Sequence, residues 1–381
     1  MTDMPHPLTV TWYCTTPSDV PAAMVRHLRR HHLLKGVSRL GLAVSGGADS
    51  VALFHLLSPV CQDAGIALTV LHLNHGLRAE AEAEAGFVCE LARGAGIPML
   101  SETIPVATRM RGGASLEMVA REARLEFFTR CVATARLDAI ATGHQADDVA
   151  EAVLLRLARG AGASGLSGLS PRSAPDASLG TSFTFIRPLL AISGAALRAW
   201  LRQYSYAWRE DASNRDVTIP RNYVRNTLLP QLEENWIPEL RSHLCQSAEI
   251  LREDDHLLES LARQCSSQIC SPDAVKVAAL VQQPDALQRR ILRQWLFRQK
   301  LPEAAGLTSV LSLLDRCHDS GDWKHQLPEN TFAVCHAGLL RIVRPSETPP
   351  PDEALVPIDG TLRWGDFEIK TETGCGVSLS T

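Results

Sequence analysis

Residues 40 to 57 read LGLAVSGGADSVALFHLL. An apolar run, Leu40 to Val44, ends at Ser45-Gly46-Gly47-Ala48-Asp49-Ser50, and a second apolar run opens at Val51. The first is short enough for a buried strand and the second has the character of a helix. Two glycines between them let the backbone turn sharply and approach a ligand closely. Successive N–H groups at a helix start make a seat for an anion, and phosphate is the natural guest. The stretch is neither the GxxxxGK-Ser/Thr nor the GxGxxG arrangement, and it holds no lysine. Ser45 and Ser50 can donate to phosphate oxygens. Asp49 would repel them unless a metal ion intervenes or its carboxylate meets another part of the ligand. On its own the stretch also reads as a glycine turn capped by Asp and Ser.

Working outward, residues 67–74 (ALTVLHLN), 98–104 and 137–142 are further short apolar runs, separated by segments with apolar residues at helical spacing. That alternation predicts an α/β fold, a Rossmann-like parallel sheet with right-handed crossovers. Ligands of such sheets bind at the carboxyl ends of the strands, near the point where strand order reverses. SGGADS ends the first strand, Asn74 and His75 the second, and Gly143-His144-Gln145-Ala146-Asp147-Asp148 the fourth. Three polar clusters distant in sequence are therefore expected on one rim.

Beyond Pro171 the texture changes. Residues 170–182 are rich in Ser, Pro and Gly and read as an exposed loop. From Leu232 the apolar residues Ile237, Leu240, Leu244, Leu251 and Leu258 recur at helical spacing, predicting a smaller, mainly helical domain. Residues 344–352 carry four prolines and read as a linker, with about thirty residues after it, too few for an independent core. The expected division is 1–230, 231–345 and 346–381. The 381 residues are 45% hydrophobic and 21% charged, with net charge -4, which excludes indiscriminate coating of nucleic acid but allows a local basic face. That face is expected in DALQRRILRQWLFRQK (285–300), where Arg289, Arg290 and Arg293 stand among buried-type residues; a solvated helix face is the plain alternative. Ten cysteines occur without a CxxC, so neither a zinc ribbon nor a sulfur relay is expected. No apolar run reaches the roughly 20 residues of a membrane span, and the amino terminus lacks a basic region followed by an apolar core, so no membrane association and a cytoplasmic location are expected.

SGGADS resembles the pyrophosphate-binding loop (PP-loop) of the N-type ATP pyrophosphatases, which adenylate a substrate oxygen and let a nucleophile displace AMP. Within that clan, LHLNHGLR (71–78), SLEMVAREARLEFF (115–128), TGHQADDVAEAVLLRLARGAG (142–162) and EDASNRDVTIPRNYVRNTLLP (210–230) resemble consecutive signatures of the tRNA(Ile)-lysidine synthase family, over roughly residues 35 to 345. The chain departs from the family at Val149 and Ala152, where Gln and Thr are frequent, and at Leu125 or Ile219, where Tyr is. TLRWGDFEIKTE resembles only the opening strands of a further carboxy-terminal domain that many members carry, so a shortened tail is expected.

The resemblance implies an ATP-dependent ligase that joins the ε-amine of free lysine to C2 of the wobble cytidine in a CAU-anticodon tRNA(Ile), using Mg²⁺ and expelling AMP and pyrophosphate; self-association into a homodimer is left open. The implied nucleotide-binding residues are Ser45, Gly46, Gly47, Ala48, Asp49, Ser50, Asn74 and His75. Asp49, His144, Asp148, Arg121 and Arg221 are the implied catalytic set. Asp49 and Asp148 would hold the metal or the lysine amine, His144 would handle protons, and the two arginines would hold phosphate, since a planar guanidinium binds two oxygens together. Without the resemblance, Asp147, Asp148 and Glu151 equally read as acids complementing a helix start, and the arginines as partners of nearby glutamates. Two other functions stand beside this one: a 2-thiolating tRNA enzyme of the same clan, and a non-catalytic RNA-binding relative.

Overall fold

The structure is a computed structural model, and it describes residues 13–74, 81–105, 109, 116–173, 183–210, 216–344, 360–364, 367–372 and 376–380. The chain divides into two compact units, Met1–Asp255 and His256–Thr381.

The first unit opens with α1 (Val20–Arg30), β1 (Arg39–Ala43), α2 (Ala48–Asp63), β2 (Ala67–Asn74), α3 (Ala81–Gly94), β3 (Met99–Thr103), α4 (Leu116–Ala135), β4 (Ala139–Ala141) and α5 (Ala146–Leu157). It continues through α6 (Ala163–Leu166), β5 (Arg172–Ser173), β6 (Thr184–Ile186), α7 (Gly194–Gln203), α8 (Pro220–Tyr223), a π-helical turn at Val224–Leu228 and α9 (Leu229–Asn235). The 30-residue α10 (Leu240–Ile269) contains the division between the units.

The strands form one sheet in the order β3-β2-β1-β4-β6-β5, parallel except for β5. Leu40 and Leu42 of β1 and all three residues of β4 are fully buried, because helices cover both faces of a parallel sheet. One layer packs α1, α2 and α7 into a core around Met24, Leu53, Leu57 and Leu197, and α4 lines another through Phe127 and Phe128. The chain builds outward from β1 to β3 and returns to β4 on the other side of β1, so strand order reverses between β1 and β4. The strands expected at 40–45, 67–74, 98–104 and 137–142 all form, and the loops after β1 and β4 meet at that reversal.

The second unit adds β7 (Ala274–Lys276), α11 (Val277–Val281), α12 (Asp285–Arg298), α13 (Leu307–Cys317), β8 (Trp323–Leu327), β9 (Thr331–His336) and β10 (Leu339–Val343), then β11 (Gly360–Trp364), β12 (Phe367–Glu372) and β13 (Gly376–Ser380). Ile291, Leu292, Trp295 and Leu296 of α12 are fully buried beside Leu313 and Leu340. The helices are joined by an antiparallel sheet, β7-β10-β9-β8, which reading the sequence for helices did not contain. Its signals are local. Burial alternates along β9, and Ala337-Gly338 takes positive φ at both positions, the geometry of a tight hairpin. β11, β12 and β13 form a separate antiparallel meander.

Among the described residues no helix is long and apolar enough to cross a membrane, and nine cysteines are free. Cys14, Cys61, Cys131, Cys245, Cys317 and Cys335 are buried, Cys265 and Cys270 half-buried, and Cys89 on α3 is exposed.

Candidate active site

One hydroxyl shapes the loop between β1 and α2. Ser50 Oγ accepts from the backbone N–H of Ser45 and of Gly46, each at 3.2 Å, and donates to the carbonyl of Gly47 at 2.9 Å. Ser45 Oγ lies 3.2 Å from Ser50 Oγ, and Gly46 has φ +96°, a conformation a side chain would resist. Gly47 occupies the cap position of α2 and offers no side-chain cap. The leading N–H groups of a 16-residue helix, with the positive end of its dipole, therefore face the loop without a capping side chain. This suits a polyphosphate.

Asp49 stands in the first turn of α2. Its Oδ1 is sealed from solvent and accepts no hydrogen bond. Burial, and secondarily the charge of Asp148, push its carboxyl up to about 7, while Arg198 and Arg225 pull the other way. A buried oxygen without a donor fits a cation, and Asp49 is the residue that would hold one. The loop after β4 is pressed against this turn: a Cβ on Gly143 would lie 3.1 Å from the backbone carbonyl of Asp49 and would push the two segments apart.

The start of α5 is built by reciprocal caps. Asp147 N–H donates to Gln145 Oε1 at 2.6 Å, and Gln145 N–H donates to Asp148 Oδ2 at 2.9 Å. Asp148 Oδ1 then accepts from Arg221 Nη2 at 2.6 Å and Arg225 Nη2 at 2.7 Å. Glu151, fully buried, accepts from Arg221 Nε at 2.9 Å and from Arg225 Nε at 2.5 Å. Two acids one helical turn apart and two arginines four residues apart thus make a compact ionic cluster. His144, ahead of α5, has its Nδ1 2.8 Å from the Thr142 hydroxyl. Burial drives its pKa down to about 4; Asp148 opposes this, and Arg187, Arg221 and Arg124 reinforce it. The imidazole is neutral at pH 7.

The structure thus brings Ser45, Asp49, Ser50, His144, Asp148 and Arg221 to the reversal point of the sheet. Asn74 closes β2 on the same edge and is buried, and His75 lies outside the described residues. Arg121 is exposed on α4, near enough to Arg187 to lower its pKa, and Arg187 itself is held by donation to Ser170 O and Ser173 Oγ. Arg221, expected to hold phosphate, has two nitrogens on carboxylates. Both oxygens of Asp148 are likewise engaged, which leaves Asp49 the better cation ligand of the two. Among the described residues no three of His, Cys, Asp and Glu gather as a metal site. Asp147 is drawn aside by Tyr13 at 3.1 Å and by Gly194 N–H at 3.3 Å.

Glu151 and Arg225 were missed. The signals were their spacing, Asp148 to Glu151 and Arg221 to Arg225, both on one helix face. On α12, Arg290 pairs with Glu259 at 3.5 Å, Arg293 is exposed with its guanidinium 5.6 Å from the Phe297 ring centre, and Arg289 is half-buried.

Fold and loop together define a PP-loop ATP-binding protein. Residues 22–232 match the sequence family described as PP-loop domain, and residues 276–341 match the TilS substrate binding domain. The chain is 36% identical to the tRNA(Ile)-lysidine synthase of Pseudomonas fluorescens over 73% of its own length and 62% of that protein. The corresponding protein of Symbiobacterium thermophilum is 35% identical over 83% of this chain and 67% of the relative. That of Geobacter sulfurreducens is 35% identical over 94% of this chain and 77% of the relative. The chain belongs to the tRNA(Ile)-lysidine synthase family.

Proposed function

We propose that the chain joins lysine to C2 of the wobble cytidine of a CAU-anticodon tRNA(Ile), at the expense of ATP. The observation that carries the reading is the buried, undonated oxygen of Asp49 at an uncapped helix start, next to a second rim that holds a neutral histidine and a carboxylate cluster.

In the first step the C2 oxygen of cytidine bonds to the α-phosphorus and pyrophosphate leaves. The leading N–H groups of α2, which have no capping side chain, receive the departing phosphates, and the Ser50 hydroxyl turns from the Gly47 carbonyl to join them. Asp49 would hold Mg²⁺, which would supply further neutralisation of that charge. In the second step the lysine amine bonds to C2, the bond from C2 to the AMP oxygen breaks, and the amine gives up a proton. The amine must first be neutral. His144 is the acceptor on this rim. Burial, reinforced by three arginines, lowers its proton affinity, and an arriving anion raises it. Asp148, on the edge of this cluster, flanks the lysine amine, and Glu151 holds Arg221 and Arg225 in place beneath it. Arg121, exposed on α4, holds phosphate. The outward basic residues of α12, Arg289 and Arg293, meet the tRNA backbone, with Arg290 steadied by Glu259.

Mass analysis of nucleosides from a CAU-anticodon tRNA(Ile), incubated with the protein, ATP, Mg²⁺ and lysine, tests this. Lysidine is the expected product. Unmodified cytidine after complete incubation refutes the reading, and 2-thiocytidine in a sulfur-supplied reaction assigns the chain to its thiolating cousins.

A further inference from the structure

The loop seats an anion but contains no cation of its own. Its only charged residue, Asp49, has the wrong sign. Of the nearby arginines, Arg225 is committed to Asp148 and Glu151. A different arginine is fastened to the loop itself. Residues 206–209 run alongside it: Arg209 N–H donates to the Gly46 carbonyl at 2.9 Å, and Arg209 bridges Gly47 in parallel register. The segment is anchored a few residues earlier, where the Tyr206 ring stacks on His55 of α2 with centroids 3.6 Å apart and planes 11° apart. Its backbone position is therefore tied to both the helix and the loop.

The Arg209 side chain is exposed, and its guanidinium sits 5.3 Å from the ring centre of Phe87 on α3. That ring lies against the loop, its Cδ1 3.7 Å from where a Gly46 Cβ would be. A guanidinium resting on a ring uses its face, while its N–H donors lie in the plane and stay available for oxygens. No carboxylate of the described residues pairs with it.

We infer that Arg209 supplies the positive charge the loop lacks, and that its guanidinium binds the phosphates seated by Gly46 and Gly47, both in ATP and in departing pyrophosphate. Phe87 is a positioning residue that holds the guanidinium at the loop when no ligand is bound. The inference rests on the proposed ATP chemistry but concerns a separable property, recognition of phosphate rather than of tRNA or lysine.

Equilibrium binding of Mg-ATP, inorganic pyrophosphate and AMP to the full chain tests it, for the parent protein and for Arg209→Ala, Arg209→Lys and Phe87→Leu. A charge-assisted hydrogen bond contributes about 1.5–3 kcal/mol, equivalent to roughly tenfold to hundredfold in affinity. Arg209→Ala is expected to weaken ATP and pyrophosphate by that factor and AMP by less than about twofold. Arg209→Lys, which keeps the charge, should recover part of the loss, and Phe87→Leu should cost about threefold. All variants change exposed or half-buried side chains, and matching thermal unfolding curves verify that they fold. ATP and pyrophosphate bound equally by parent and Arg209→Ala overturns the inference. Parallel loss of AMP overturns it too, because the residue would then only be shaping the loop. Absence of ATP binding by the parent overturns the proposed chemistry itself, an outcome visible before any variant is compared.

Discussion

Arg225 grips Glu151 with two nitrogens, Nε on Oε1 at 2.5 Å and Nη2 on Oε2 at 3.0 Å, and the same Nη2 reaches Asp148. Glu151 is fully buried, whereas the arginine side chains retain 39% exposure at Arg221 and 26% at Arg225. Removing the acid strands two partly desolvated cations, a far larger penalty than losing a surface pair. Glu151→Ala should cost about 2–4 kcal/mol in urea unfolding. Arg225→Met alone should cost less, and a double-mutant cycle should give coupling above about 1 kcal/mol. Additive losses would mean that the cluster does not act as a unit.

Asp49 has a signed effect on stability. Its folded pKa, about 7, lies above the ordinary value of 3.8, so between those pH values the native protein binds more protons than the unfolded chain. Stability from this group is present below pH 3.8 and lost as pH rises to about 7. The gap corresponds to about 4 kcal/mol at most, and partial exposure reduces it to about 1–3. Asp49→Asn should therefore raise the melting temperature at pH 8 and leave it unchanged near pH 4. The same variant should lose lysidine formation roughly a thousandfold or more. A lower melting temperature at pH 8 would contradict the burial argument.

His144 acts in the opposite sense. Its folded pKa, about 4, lies below the unfolded 6.5, so its contribution is full above pH 6.5 and is lost as pH falls towards 4. Replacing it with Gln should flatten the decline in stability across that window. Thermal scans from pH 4 to 8 should show a melting temperature less dependent on acidity for the variant than for the parent.

Catalysis by the free protein should follow Asp49. The kcat/KM for ATP is expected to fall with acidity around pH 7, because kcat/KM reports the unliganded state. The acid limb of kcat should sit lower, since a bound cation favours the carboxylate. Coincident limbs in the two profiles would separate Asp49 from cation binding.

The basic face of α12 divides unequally. Arg293→Ala and Arg289→Ala should each lower the log-log salt slope of tRNA binding by about one. Arg290→Ala, which leaves Glu259 with Gln294 but without its cation, should chiefly lower stability of the second unit. Equal slope changes from all three would show that the ion pair opens on binding.

The loop and the strands were readable in the sequence because an apolar run, a double glycine and a following helix are written in adjacent residues. The start of α5 at Ala146 was similarly legible from Gln145 to Asp148. What escaped was pairing at long range. Glu151 looks like one more acid of an exposed first turn, and only the approach of residues 221–225 buries it. The hairpins of 323–343 were lost because their alternation is short and their turns depend on positive φ at Ala337, Glu329 and Asn330, which sequence composition announces weakly. Arg209 carries no motif. Its place beside the loop comes from pairing with Gly46 and Gly47.

The thiols have a practical corollary. Burial raises Cys61, Cys245 and Cys317 to about 12 and Cys131 to about 11, so maleimide reagents find little thiolate there. Cys89 is exposed, two residues along α3 from the ring beneath Arg209. Once Cys265, Cys270 and Cys375 are changed to Ser, a dye on Cys89 becomes a fluorescent reporter on the outer face of the helix whose Phe87 ring meets the loop, able to follow nucleotide arrival in real time without an engineered attachment point.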